Sequence, residues 1–66
     1  MKNRIKILRV ERDLSQAQLA DELGVARQTV IALEAGKYAP SLPLAFKISK
    51  LFNRPVEDIF DAGSTD

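Results

Sequence analysis

Residues 16–35, QAQLADELGVARQTVIALEA, carry the pattern of two short helices joined by a tight turn. Leu19, Ala20 and Leu23 recur at helical spacing, and Gly24 closes that helix with the residue best suited to a left-handed carboxyl cap. Only Gly24, Val25 and Ala26 separate it from a second helix over about residues 27–35, with Val30 and Leu33 apolar and Gly36 at its end. Two helices joined by so few residues must cross closely. Ala20 is small where they meet, and a longer side chain would push them apart. Gly24 supplies the positive φ that the sharp turn requires. Upstream, Ser15 and Gln18 form a capping box. The hydroxyl accepts from the third amide of the helix, while the Gln18 side chain reaches back to the cap.

Outward from this pair, a first helix is predicted over about residues 3–12, with Ile5 and Leu8 on one face and Ile7 and Val10 extending it. Residues 13–15 interrupt it. Residues 37–40 form a loop, and Ser41 caps a fourth helix through Phe52. Pro43 is tolerated in its first turn, where no intrahelical amide bond is needed. Pro55 opens a short fifth helix through about Phe60. No segment alternates with period two for long enough to be a strand. The expected fold is all-α: a compact five-helix domain over residues 1–60, followed by a polar, frayed tail over residues 61–66. Leu44, Ala45, Ile48, Leu51, Phe52, Val56 and Ile59 read as core at helical spacing, with no ligand pocket among them.

Composition narrows the function. The 66 residues suffice for one small core, with about 60% of the unfolded surface buried on folding. A chain 45% hydrophobic and 29% charged has the balance of a soluble folded protein. Without cysteine there are no disulfides and no thiolate zinc sites; without histidine the commonest general base and imidazole ligands are missing. The longest uncharged stretch, residues 38–46, is too short to span a bilayer, and the amino-terminal MKNRIK lacks the apolar run of a signal peptide. Asp21-Glu22 and Glu57-Asp58 are adjacent pairs on different helix faces and make no acid/base dyad. A cytoplasmic protein without cofactor, metal or enzymatic activity is expected. Lys2, Arg4, Lys6, Arg9 and Arg12 crowd one end, and Glu57, Asp58, Asp61 and Asp66 the other. This asymmetry suggests a face for an anionic partner and an end turned away from it, although two solvated helix surfaces would give the same count.

A small residue, a glycine four positions later and apolar residues at fixed offsets make up the helix-turn-helix pattern. With it stand Leu14-Ser15-Gln16, Leu19-Ala20, Leu23-Gly24-Val25, Arg27-Gln28-Thr29-Val30, Leu33-Glu34, Gly36-Lys37, Pro40-Ser41-Leu42 and Val56-Glu57-Asp58-Ile59-Phe60. On these residues the chain resembles the phage-repressor-like (Cro/repressor, or XRE) helix-turn-helix family over about residues 3–60. The resemblance implies a third helix that enters the DNA major groove, usually in a dimer on a two-fold operator. It also implies a buried structural ion pair between Arg9 and Glu34, tying the first helix to the third. Two departures stand out. Ala26 replaces the Ser or Thr common at the cap of the recognition helix, and Ile31 stands where polar residues are frequent.

Base readout is assigned to Arg27, Gln28, Ile31 and Ala32. Arg27 suits guanine O6 and N7, and Gln28 suits adenine N6 and N7. Ile31 either packs on thymine methyls or lies at the groove edge, and Ala32 offers only van der Waals contact. Phosphate contacts are assigned to Gln16, Thr29, Lys37 and Tyr38. Thr29 can equally bond its own backbone, Lys37 can be a solvated charge, and Tyr38 can pack between protomers. The homodimer contact is expected at Ile59 and Phe60, on a helix too short to bury both. The expected function is sequence-specific binding of double-stranded DNA as a small dimeric regulator, with repression the expected effect. No small-molecule effector and no membrane are implied. An antitoxin-like autorepressor and a helical protein–protein adaptor are the alternatives.

Overall fold

The computed structural model describes residues 2–61, and two of its helices, the second and the fourth, start at a serine whose side chain caps them. Helix α1 (Ile5–Glu11) begins two residues later than predicted. Asn3 Oδ1 accepts from the Ile5 amide at 3.1 Å, and the Arg4 amide donates to the Ile59 carbonyl at 2.8 Å, so both amides find partners outside the helix. Helix α2 (Gln16–Leu23) carries the complete capping box: Ser15 Oγ accepts from the Gln18 amide at 3.0 Å, and Gln18 Oε1 accepts from the Ser15 amide at 2.8 Å. It ends at Gly24 with φ 70°, in the left-handed region. Helix α3 (Arg27–Glu34) follows directly, and its cap residue, Ala26, makes no side-chain bond. In α4 (Leu42–Phe52), Ser41 Oγ accepts from the Leu44 amide at 3.3 Å. Helix α5 (Val56–Ile59) is shorter than predicted, because Phe60 is already extended.

Phe60 is extended because it belongs to a strand: the expected all-α, five-helix fold stands, with a two-residue strand pair joining its ends. Strands β1 (Lys2–Asn3) and β2 (Phe60–Asp61) pair antiparallel, with Lys2 opposite Asp61 and Asn3 opposite Phe60. Two residues are too few to show alternation. Asp61, expected in the frayed tail, is therefore paired to the amino terminus; the remainder of the predicted tail, residues 62–66, lies outside the described residues.

The core draws on every helix: Ile5 and Leu8 from α1, Leu19, Ala20 and Leu23 from α2, Val30 and Leu33 from α3, Leu44, Ala45, Ile48 and Phe52 from α4, and Ile59 from α5, with Phe60 from β2. Leu14, Val25, Leu51 and Val56 pack against it, half-buried. Ile7 and Val10, predicted to extend the inner face of α1, point to solvent instead. At about 100° per residue they lie across the helix from Ile5 and Leu8. Arg12 closes the domain beneath α4, donating from Nη2 to the Phe52 carbonyl at 3.0 Å with its guanidinium 5.6 Å from the Phe52 ring centre. Among the described residues, no helix is long and apolar enough to cross a membrane.

Candidate nucleic-acid interface

Burying Val30 and Leu33 fixes which way α3 faces. At about 100° per residue, Gln28 and Ala32 then lie on the opposite side, with Arg27 and Ile31 flanking that outer face. Arg27 and Gln28 are exposed in the first turn, while Thr29, Ile31 and Ala32 are half-buried. Tyr38, in the loop after α3, lines a shallow hollow together with Gln28, Thr29 and Ala32. The chain is held at that corner by the Lys37 amide, which donates to the Ala32 carbonyl at 3.1 Å. The structure thus gathers Arg27, Gln28, Thr29, Ala32, Lys37 and Tyr38 on or beside one helix.

Gln16 joins them from α2. Its Nε2 donates to Glu34 Oε1 at 3.1 Å, and its Oε1 lies 3.5 Å from Arg27 Nη2. Glu34 itself receives a forked contact from Arg9, with Nε to Oε2 at 2.6 Å and Nη2 to Oε1 at 3.3 Å. Arg9 Nη1 donates in turn to the Leu14 carbonyl at 2.7 Å. The two side chains are only 12% and 6% exposed, so this pair is largely removed from water. It ties α1, the turn before α2 and the end of α3 together, next to the first turn of α2. Asn3 adds a second tie, donating from Nδ2 to the Leu33 carbonyl at 2.7 Å.

Two sequence expectations need correction here. Ile59 and Phe60, assigned to a contact between protomers, are 1% and 7% exposed within a single chain. Pairing with β1 folds Phe60 back over the core, so the short helix does not leave it uncovered. The apolar surface lies elsewhere, notably at Leu42 and Phe46, one turn apart on α4. The crowd of amino-terminal bases is likewise not one anion-facing patch. Arg9 and Arg12 are spent on internal contacts, and Lys2 and Arg4 share a hollow with Glu57, Asp58 and Asp61. The β1–β2 pairing brings the basic and acidic ends together. Among the described residues no group of His, Cys, Asp or Glu has the arrangement of a metal site.

The helix-turn-helix family profile matches residues 5–59, nearly the whole of the described fold. The chain belongs to the helix-turn-helix family. It is 58% identical over 60 residues to an uncharacterized HTH-type transcriptional regulator of Methanocaldococcus jannaschii, covering 91% of each chain. It is 34% identical over 64 residues to the cryptic phage CTXphi transcriptional repressor RstR of Vibrio cholerae, covering 97% of this chain and 58% of that one. The crystal structure of a candidate DNA-binding protein from Bacteroides fragilis superposes with a TM-score of 0.76 at 28% identity, covering 88% of this chain and 94% of the other. The relatives of this helix-turn-helix chain are transcriptional regulators, a non-enzymatic family.

The four-residue contact set of Arg9, Glu34, Gln16 and Arg27 was only half visible in the sequence. Arg27 and Glu34 stand seven residues apart, two helical turns, and therefore share one side of α3. That Gln16 fills the interval between them depends on the crossing of α2 over α3, which no local pattern specifies.

Proposed function

We propose that this chain binds double-stranded DNA sequence-specifically as a homodimer and regulates transcription, with α3 in the major groove. The observation that carries this reading is the first turn of α3, where Arg27 and Gln28 stand exposed on a helix whose other face is locked into the core. Long polar side chains at the amino-terminal end of such a helix are the ones that reach base edges. Gln16, Thr29 and Tyr38 beside them, and Lys37 beyond the far end of the helix, supply the phosphate contacts that fix register. Residues 1–60 act as the single DNA-binding unit. Repression is the favoured effect, since a promoter-occupying domain needs no further machinery to exclude polymerase; the V. cholerae relative is named a repressor. A dimer is favoured because one helix reads only a few base pairs, too few to single out one site among the roughly 10⁶ or more competitors in a genome.

Titration of labelled duplexes at several salt concentrations tests this reading. Binding should weaken linearly in log–log coordinates, as phosphate contacts displace counterions. Absence of duplex binding at low salt would return the domain to a protein–protein adaptor.

A further inference from the structure

Helix α3 ends in a turn that brings the chain back beside its own outer face. Gly36 adopts φ 74°, its amide donates to the Leu33 carbonyl at 3.0 Å, and the Lys37 amide donates to the Ala32 carbonyl at 3.1 Å. These are the two bonds of a Schellman turn, and they fix where the next residue, Tyr38, leaves the helix. Tyr38 is 42% exposed and lines a hollow with Gln28, Thr29 and Ala32. Gln28 and Ala32 stand one turn apart on the outward side of α3. The hollow beside β1 is lined by charged residues, whereas this one is lined mainly by apolar atoms. The apolar groups that its residues carry are the Ala32 methyl, the Thr29 methyl and the Tyr38 ring. None of the four residues belongs to the core.

Apolar groups on the side of a helix that faces the major groove meet base edges made of donors and acceptors, with one apolar exception, the C5-methyl of thymine. Resting on the DNA-binding reading above, we infer that the hollow between α3 and Tyr38 receives the C5-methyl group of a pyrimidine, with Ala32 and Tyr38 as the specificity-determining residues. Alanine and the threonine methyl are side chains suited to that contact, and the phenol ring adds a third apolar wall. Gln28 at the rim suits adenine N6 and N7, and the thymine paired with an adenine shows its methyl in the same groove. An A·T pair therefore presents a partner for the amide and a partner for the hollow. Methylated cytosine carries the same methyl, with an N–H donor beside it in place of the thymine acceptor. A phosphate bond through the Tyr38 hydroxyl is compatible, because the ring and the hydroxyl are separate groups.

The test uses the full chain and the duplex that it selects, with each thymine of one half-site replaced in turn by uracil. Uracil lacks the methyl and keeps every hydrogen-bonding group. At one position it should lower affinity about fourfold, the equivalent of ~0.8 kcal/mol for one buried methyl-sized group. Tyr38→Ala should bring the thymine-to-uracil ratio at that position close to one, and Tyr38→Phe should preserve it. A Tyr38 that only bonds phosphate would weaken thymine and uracil duplexes alike in both variants and overturn the inference. Ala32→Leu, which fills the hollow, should also remove the ratio; thermal melting shows that each variant is folded, and the two Tyr38 variants decide the matter should Ala32→Leu fail to fold. Cytosine and 5-methylcytosine at the same position separate the two sources of the methyl. A similar gain from methylation assigns the hollow to the methyl on either base, and no gain assigns it to thymine. Uracil tolerated at every position, or a uracil penalty untouched by Tyr38→Ala and Ala32→Leu, would overturn the inference while leaving the DNA-binding reading intact. A wild-type chain without any sequence preference would overturn both.

Discussion

Replacing Arg9 by methionine removes two contacts to Glu34 and one to the Leu14 carbonyl while keeping much of the apolar stem. What remains is a carboxylate only 6% exposed, with the Gln16 amide still donating to it. Stranding a buried charge in this way costs about 3–5 kcal/mol. A chain of this size has a total stability of roughly 3–10 kcal/mol at the usual contribution per residue. Arg9→Met should therefore take about a third of that or more, and the weakest-case domain would be unfolded at room temperature. Equilibrium urea unfolding, followed by circular dichroism, measures the loss from the shift in midpoint at constant slope. The double variant Arg9→Met/Glu34→Leu should recover most of it, because a well-packed apolar pair often equals or exceeds a buried ion pair. A loss below about 1 kcal/mol for Arg9→Met, the range of exposed pairs, would refute the argument that the pair is sequestered.

Arg27→Ala and Gln28→Ala should each cost about 1–3 kcal/mol on the preferred duplex and relax discrimination at one base position, whereas Lys37→Ala should weaken all duplexes alike and reduce the salt slope by about 1, as read by fluorescence anisotropy. Phe60→Ala should cost about 3–5 kcal/mol in unfolding while sedimentation shows an unchanged oligomeric state, since Phe60 is core; a Phe60→Ala chain that is stable but monomeric would return it to the interface. Ala26→Ser should raise stability by about 0.5–2 kcal/mol in the same urea assay, supplying the hydroxyl that the cap of α3 lacks.

The helical framework was legible because its signals are local. Ser15 with Gln18, Ser41, Gly24 and Pro43 each act within one turn, and each stands in the structure where its capping or turn chemistry puts it. What escaped was non-local. The β1–β2 pairing joins residues almost sixty positions apart through strands of two residues, below the length at which alternation registers. That single pairing covers Phe60, removes Asp61 from the tail and sets the basic amino terminus beside acidic residues of the carboxyl end. Ile7 and Val10 misled for a different reason. An apolar residue on a short helix reads as core until the position of that helix is known, and α1 buries only its Ile5–Leu8 side. At the candidate site, residue types and helix offsets pointed to Arg27 and Gln28. The contact of Gln16 with Glu34 needed the crossing of α2 over α3 and could not be read from either helix by itself.

Selection from a library of random duplexes tests the central proposal most directly. The wild-type chain should enrich one motif, two-fold symmetric, with half-sites centred about 34 Å apart or a multiple of that, and Arg27→Ala and Gln28→Ala should each erase a different position of the half-site. A pool that stays random through repeated rounds, while binding still weakens steeply with salt, would mean that the helix meets only phosphates and would contradict sequence-specific recognition.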